Sequence, residues 1–103
     1  MKYYDFLEDY RRDPSAKPFN FAVDQVDGLA ARQPEKLAMI WLDESGEERR
    51  LTYSYFSKES NKAANVLRDL GVREGDIIVL MMTRRPEWWI CALATMKLGA
   101  ILP

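Results

Sequence analysis

Ile77-Ile78-Val79-Leu80-Met81-Met82, then Thr83-Arg84-Arg85-Pro86, then a helix-length run that stops at Gly99 and passes into Ala100-Ile101-Leu102-Pro103: this stretch decides the fold class. An apolar run of strand length without polar alternation points to burial on both faces, as in a parallel sheet. Pro86 suits the first turn of a helix, where its fixed φ is already helical and its missing N–H is one that no intrahelical bond would use. The helix it opens is apolar around its whole circumference from Trp88 to Ala94, which implies burial on more than one side. After the glycine stop, Ile101 and Leu102 read as the beginning of a return strand. A strand, a helix and a second parallel strand make one crossover, and the expectation here is a crossover cut short.

Working back from this stretch, Thr52 is placed to cap a helix in which Phe56, Ser60, Ala63, Leu67 and Leu70 recur at helical spacing. Gly71 is its left-handed stop and Val72 the apolar residue that packs back on the last turn. Leu37 to Leu42 reads as a strand, Asp43-Glu44-Ser45-Gly46 as a turn, and Glu48 to Leu51 as the returning strand, giving a β-hairpin. Asn20 can cap a further helix to about Gln33, with Asp24 near its positive end and Phe21, Val26, Leu29 and Ala30 on its buried side. Residues 1–18 are read separately: a short charged helix with Tyr3, Phe6, Leu7 and Tyr10 on one stripe over Lys2 to Arg12, then a linker over 13–18 containing Pro14 and Pro18. The expected organisation is thus residues 1–18 followed by an α/β unit over 19–103.

The 103 residues, 48% of them apolar, suffice for one small packed domain. Fifteen Lys and Arg against sixteen Asp and Glu leave a formal charge of −1, so no global field attracts nucleic acid or anionic lipid. Trp88 to Ala94, the longest apolar stretch, falls far short of the roughly 20 residues a membrane helix needs. The lone Cys91 cannot form an internal disulfide and suits a reducing compartment. The charged residues between Lys2 and Asp13 leave no secretory h-region, and the cytoplasm is the expected location.

Four segments, in order, resemble the adenylate-forming ligases, the family of acyl-CoA synthetases, luciferases and peptide-synthetase adenylation domains. Leu51-Thr52-Tyr53 opening a helix is similar to the family's first core motif. Ser60 to Asn65, on through Leu67 to Leu70-Gly71-Val72 and Gly75-Asp76, resembles the family's next stretch of chain. Lys97-Leu98-Gly99-Ala100 with Pro103 resembles the second core motif. The start, Phe19 to Asp24 and Pro34 to Trp41, looks most like medium-chain acyl-CoA synthetases. Tyr55-Phe56 departs from the usual Glu-Leu, which removes the reciprocal Glu contact of a capping box at Thr52 while Phe56 keeps the core position.

The resemblance implies an incomplete N-terminal portion of the large domain of an AMP-forming acyl-CoA synthetase. It also implies a two-step activity for the parent protein: a carboxylic acid, medium-chain fatty acids being the expected class, attacks ATP to give an acyl-adenylate and pyrophosphate. CoA then displaces AMP to give the thioester. ATP, magnesium and CoA are implied for the parent and no cofactor for these residues, because the phosphate-binding loop, the adenine and ribose motifs and the catalytic lysine lie downstream in the family.

The residues themselves agree. Glycines at 28, 46, 71, 75 and 99 are too scattered to cradle a phosphate, and the absence of histidine removes imidazole metal sites and Ser-His or Cys-His pairs. No residue is therefore assigned a catalytic, cofactor-binding or metal-ligating role. The carboxylate pairs Asp43-Glu44 and Glu47-Glu48, beside Arg49-Arg50, read as a solvated hairpin turn. Arg84, Arg85, Trp88 and Trp89 are the one cluster with binding chemistry, since cations and aromatics together grip phosphates or nucleotides; core packing is the favoured reading for the tryptophans. Cys91 reads as packing rather than nucleophile.

Two readings stay open. One is a scaffold piece of an acid–CoA ligase, inactive alone, whose partner is the rest of its own domain. The other is a free-standing α/β interaction module without catalysis. Both predict exposed apolar surface and self-association of the isolated chain.

Overall fold

The computed structural model describes residues 18–103. The helix expected over Lys2 to Arg12, and all of the 13–18 linker except Pro18, lie outside the described residues.

Asn20 opens the first helical segment by three devices. Its Oδ1 accepts from the N–H groups of Ala22 and Val23 at 3.1 and 3.4 Å, Asp24 reaches back to accept from its N–H at 2.7 Å, and its amide donates to the Met96 carbonyl at 2.8 Å. The helix it starts is wound in two ways: a π-helix over Phe21–Asp27 that continues as α1 over Gly28–Arg32. Wider winding moves the buried face. Ala22 and Val26 enter the core, whereas Phe21, expected inside, is half-exposed and Leu29 and Ala30 are only partly covered.

Strands β1 (Leu37–Leu42) and β2 (Glu48–Thr52) pair antiparallel, Met39 opposite Leu51 and Trp41 opposite Arg49, with a bulge between Leu37 and Met39. Alternation sends Met39, Trp41, Arg49 and Leu51 to the more buried face. Asp43 fastens the turn by accepting from the Ser45 hydroxyl at 2.6 Å and the Glu47 N–H at 2.8 Å. These bonds, the Ser45 hydroxyl first, hold its carboxyl below the usual range.

Thr52 ends β2 and caps α2 (Tyr53–Asp69), its Oγ1 accepting from the Tyr55 N–H at 3.1 Å. Gly71, at φ 102°, stops α2, with Val72 N–H donating to Leu67 and Gly71 N–H to Arg68, a Schellman closure. Helix α3 (Pro86–Lys97) closes in the same way: Ala100 donates to Thr95 and Gly99, at φ 69°, to Met96. The core lies where the π-helix, β2, α2 and α3 meet, and comprises Ala22, Val26, Leu51, Phe56, Ile90 and Leu93. α3 is buried on two sides, Ile90, Leu93 and Ala94 on one and Ala92 and Thr95 on the other.

The crossover is present in outline. Ile77 and Ile101 form a parallel bridge, with Ile78 N–H donating to Ile101, Ile101 N–H to Asp76 and Gly75 N–H to Gly99 at 2.7–3.0 Å. The expected two-sided burial is not found. Ile77 is 69% exposed and Met81 90%, while Ile78 and Leu80 are half-buried, and no ladder extends past the bridge. A parallel strand is covered only when strands lie on both its edges and helices on both its faces. Among the described residues only the Gly99–Ile101 segment pairs with it. Leu70, the last position of the α2 stripe, is likewise 77% exposed; the last buried residue of α2 is Ala64, six residues earlier.

Candidate functional site

The hairpin, the Met82–Arg85 segment and the start of α3 enclose an open cleft of about 590 Å³. It is lined by Trp41 and Leu42 of β1, by Met82, Arg84 and Arg85 of the connecting segment, and by Trp88 and Trp89 of the first turn of α3. Trp41 is locked to the arginine segment by its indole N–H, which donates to the Arg84 carbonyl at 2.9 Å. Trp88 and Trp89 meet edge to face, centroids 4.9 Å apart, an arrangement that aromatic quadrupoles favour. Trp89 is 52% exposed and Trp88 partly buried. The expectation that the tryptophans fill core is therefore corrected for Trp89: the first turn of α3 buries Pro86 and part of Trp88 while Trp89 faces the cleft.

Arg49 ties the hairpin to the start of α3. Its guanidinium donates to the Glu87 carboxylate and to the Tyr55 hydroxyl, both at 3.3 Å, and lies 6.0 Å from the centre of the Trp41 ring. Glu87 titrates below the usual carboxylate range because its own backbone N–H at the α3 N-terminus, and then Arg49, stabilise the anion. Neither Arg84 nor Arg85 makes an ion pair among the described residues. A second cleft shares Trp41, Leu42, Arg84 and Arg85 with the first and is bounded by Asp43, Glu44, Ser45 and Thr83.

A polar cluster of a different kind lies between the helices. Lys97 Nζ, with only 8% of its side chain exposed, donates to Asp27 Oδ1 and Asn61 Oδ1 at 2.8 Å each and to the Ser57 carbonyl at 3.4 Å. Ser57 Oγ donates to the same Asp27 oxygen at 2.7 Å. Each of these donated protons has its acceptor on another element, and the lysine of the second core motif joins the π-helix, α2 and α3. Among the described residues no group of three His, Cys, Asp or Glu side chains could hold a metal ion.

Cys91 is half-buried, and burial first, then Glu87, pushes its thiol above the ordinary range. A group whose neutral form is favoured by folding adds stability at neutral pH. That stability is lost as pH rises from the ordinary thiol value of about 8.5 through the higher folded one. Iodoacetamide at pH 8 is expected to alkylate Cys91 several-fold more slowly in the folded chain than in urea; equal rates would show a thiol neither covered nor shifted.

The residues that line the cleft and form the lysine cluster fall within residues 26–102, which match the family model described as AMP-binding enzyme. The chain belongs to the AMP-binding enzyme family. A mitochondrial acyl-coenzyme A synthetase of Mus musculus, ACSM5, is 35% identical over an alignment covering 88% of this chain and 17% of the relative. A human mitochondrial relative, ACSM3, is 33% identical over 82% of this chain and 15% of its own length. The chain therefore spans about one-sixth of these AMP-binding enzymes. Among solved structures, an acetoacetyl-CoA synthetase from Streptomyces lividans superposes with a TM-score of 0.76 at 27% identity, covering 82% of this chain and 13% of that one. The N-terminal subdomain of Klebsiella oxytoca NpsA matches with a TM-score of 0.67 at 32% identity, over 77% of this chain and 19% of that one. The α/β fold read from the strand and helix pattern is thus the fold of a piece of this family.

The structure gathers the four residues singled out in the sequence, Arg84, Arg85, Trp88 and Trp89, and adds Trp41 from 43 residues away. Asp43, Glu44, Glu47 and Glu48 stay on the hairpin, Asp43 as the turn's fastener and Glu48 paired with Arg50 at 2.7 Å. In the sequence Trp41 is detectable only as an inward position of β1. The Arg49–Glu87 and Lys97–Asp27 pairs join residues 38 and 70 apart and leave no local signal.

Proposed function

We propose that these residues are the scaffold of an acid–CoA ligase that activates a carboxylic acid with ATP and magnesium and transfers the acyl group to CoA. The carboxylate forms a bond to the α-phosphorus as pyrophosphate leaves; the CoA sulfur then bonds to the acyl carbon as AMP leaves. The observation that carries this reading is the second core motif in its structural role: Lys97 clamps three helical segments and Gly99 closes α3 into the parallel bridge at Ile101. That arrangement supports a rigid platform for a larger domain, and the exposed Ile77, Val79, Met81 and Ile101 supply the apolar edge on which the rest would pack. The similarity to acyl-coenzyme A synthetases supports the reaction class, and medium-chain fatty acids are the substrate class we favour. The chain by itself is read as inactive, and the lone Cys91 as suited to a reducing compartment.

The full reading frame containing these residues is expected to encode a protein that releases pyrophosphate from ATP only when a carboxylic acid is supplied, and forms a thioester when CoA is added. The 103-residue chain is expected to do neither, and to give no calorimetric signal with ATP or CoA. A reading frame that stops at Pro103 would overturn the ligase reading in favour of an interaction module. Nucleotide binding by the chain alone would overturn the scaffold role.

A further inference from the structure

We propose that the cleft between Trp41 and the Trp88–Trp89 pair binds an aromatic monocarboxylate, its flat body between the indoles and its carboxylate on Arg84 and Arg85. The volume, about 590 Å³, falls within the range of small-molecule sites, and the lining combines three indoles, Leu42 and Met82 with the two arginines. Guanidinium groups match a carboxylate in a two-point, charge-assisted geometry, and among the described residues neither Arg84 nor Arg85 forms an ion pair, although Arg85 acts at longer range on Glu87. The walls are set before any ligand arrives. The Trp41 indole is fixed to the Arg84 carbonyl, and Arg49 bridges from Trp41 to Glu87 on the first turn of α3.

The charge the site accepts is limited by its neighbours. Asp43 and Glu44 bound the adjoining cleft that the same two arginines line, and the Ser45 hydroxyl and Glu47 N–H hold the Asp43 carboxyl below its usual range. A single negative charge is offset by the two guanidiniums, while a second adds repulsion from these carboxylates. A monocarboxylate is favoured over a phosphate dianion on this ground. The inference rests on these residues alone and stands or falls separately from the ligase reading.

The chain's three tryptophans are Trp41, Trp88 and Trp89, and all three line this cleft, whereas a ligand in the adjoining cleft would meet only Trp41 and one in the core-side cleft beside Phe56 and Leu93 only Trp89, so joint shifts of the three indole N–H signals in a ¹⁵N NMR spectrum report on it. Titration of the whole chain with 2-naphthoate is expected to shift all three signals. Naphthalene-2-carboxamide, the same body without the charge, should bind about ten-fold more weakly, the size of one charge-assisted hydrogen bond. 2-Naphthyl phosphate should also bind more weakly than the acid. In the variant carrying Arg84→Gln and Arg85→Gln the acid should fall to the level of the amide. An unchanged indole spectrum of the free variant would show that its fold is kept. The proposal is overturned by any of three results: no indole shifts with naphthoate, equal affinity for acid and amide, or tighter binding of the phosphate.

Discussion

Replacing Lys97 by Met is expected to destabilise the chain by about 2–3 kcal/mol in urea unfolding. The methionine keeps most of the aliphatic stem, so the loss isolates the ammonium. That ammonium is the shared donor for Asp27, Asn61 and the Ser57 carbonyl, and it is almost fully covered by them. Removing one partner of a covered ion pair leaves the other desolvated without its counter-charge, the circumstance in which such pairs matter most. Asp27 is 29% exposed on its side chain, so water relieves part of the penalty, which places the expected effect below the upper end for fully buried pairs. Asp27→Asn should cost less than Lys97→Met, because the amide oxygen still accepts from Lys97 and Ser57. The double variant Lys97→Met with Asp27→Leu should recover part of the loss, since neither charge is then stranded. A Lys97→Met variant within about 0.5 kcal/mol of the parent chain, the range of ordinary surface changes, would show that the cluster is ornamental to stability.

The lysine cluster also marks the boundary of what can be read from the chain. Local signals are legible wherever the backbone itself demands a residue type. Asn20 and Thr52 cap helices because short oxygen-bearing side chains reach orphan N–H groups, and Gly71 and Gly99 close helices at positive φ, where a Cβ is strained. The hairpin follows from a strand-length run, a turn containing Gly46 and a second run of matching length. Burial is less legible. Ile77 to Met82 has the composition of a two-sided strand, yet composition reports the environment a segment needs, and within the described residues that environment is supplied only by Gly99 to Ile101. The same logic misplaces Trp89: an apolar helix is expected to be covered throughout, but in its first turn Pro86 is buried while Trp89 is half-exposed and lines a cleft. Phe21 departs for a different reason, because α-helical spacing puts it on the inner stripe while residues 21–27 wind more loosely.

A second large effect is expected at Phe56, and it separates composition from environment within one helix. Phe56 and Leu70 belong to the same apolar stripe of α2 by spacing, but Phe56 is 4% exposed and Leu70 77%. The Phe56 ring sits in the core with Val26, Leu51, Ile90 and Leu93 and meets the Tyr55 ring edge-on at 5.6 Å. Truncation to alanine would remove contacts to the π-helix, β2 and α3 at once, and the cavity would border elements already pinned by the Thr52 cap and the Lys97 cluster, so collapse offers little relief. Phe56→Ala is therefore expected to cost about 3–4 kcal/mol. That is a large share of the roughly 5–15 kcal/mol available to a domain, and Phe56→Leu, which refills much of the volume, should recover more than half of it. Leu70→Ala in the same chain should stay within about 0.5 kcal/mol, because its side chain is already in water. The contrast belongs to this chain. In the protein encoded by the full reading frame, any further segment that packs on the α2 C-terminus would raise the Leu70→Ala value and leave Phe56→Ala nearly unchanged. Parallel urea unfolding of both variants in the two contexts thus reads out which apolar positions are core here and which wait for a partner. Equal losses at the two positions in the short chain would place the centre of the core elsewhere along α2.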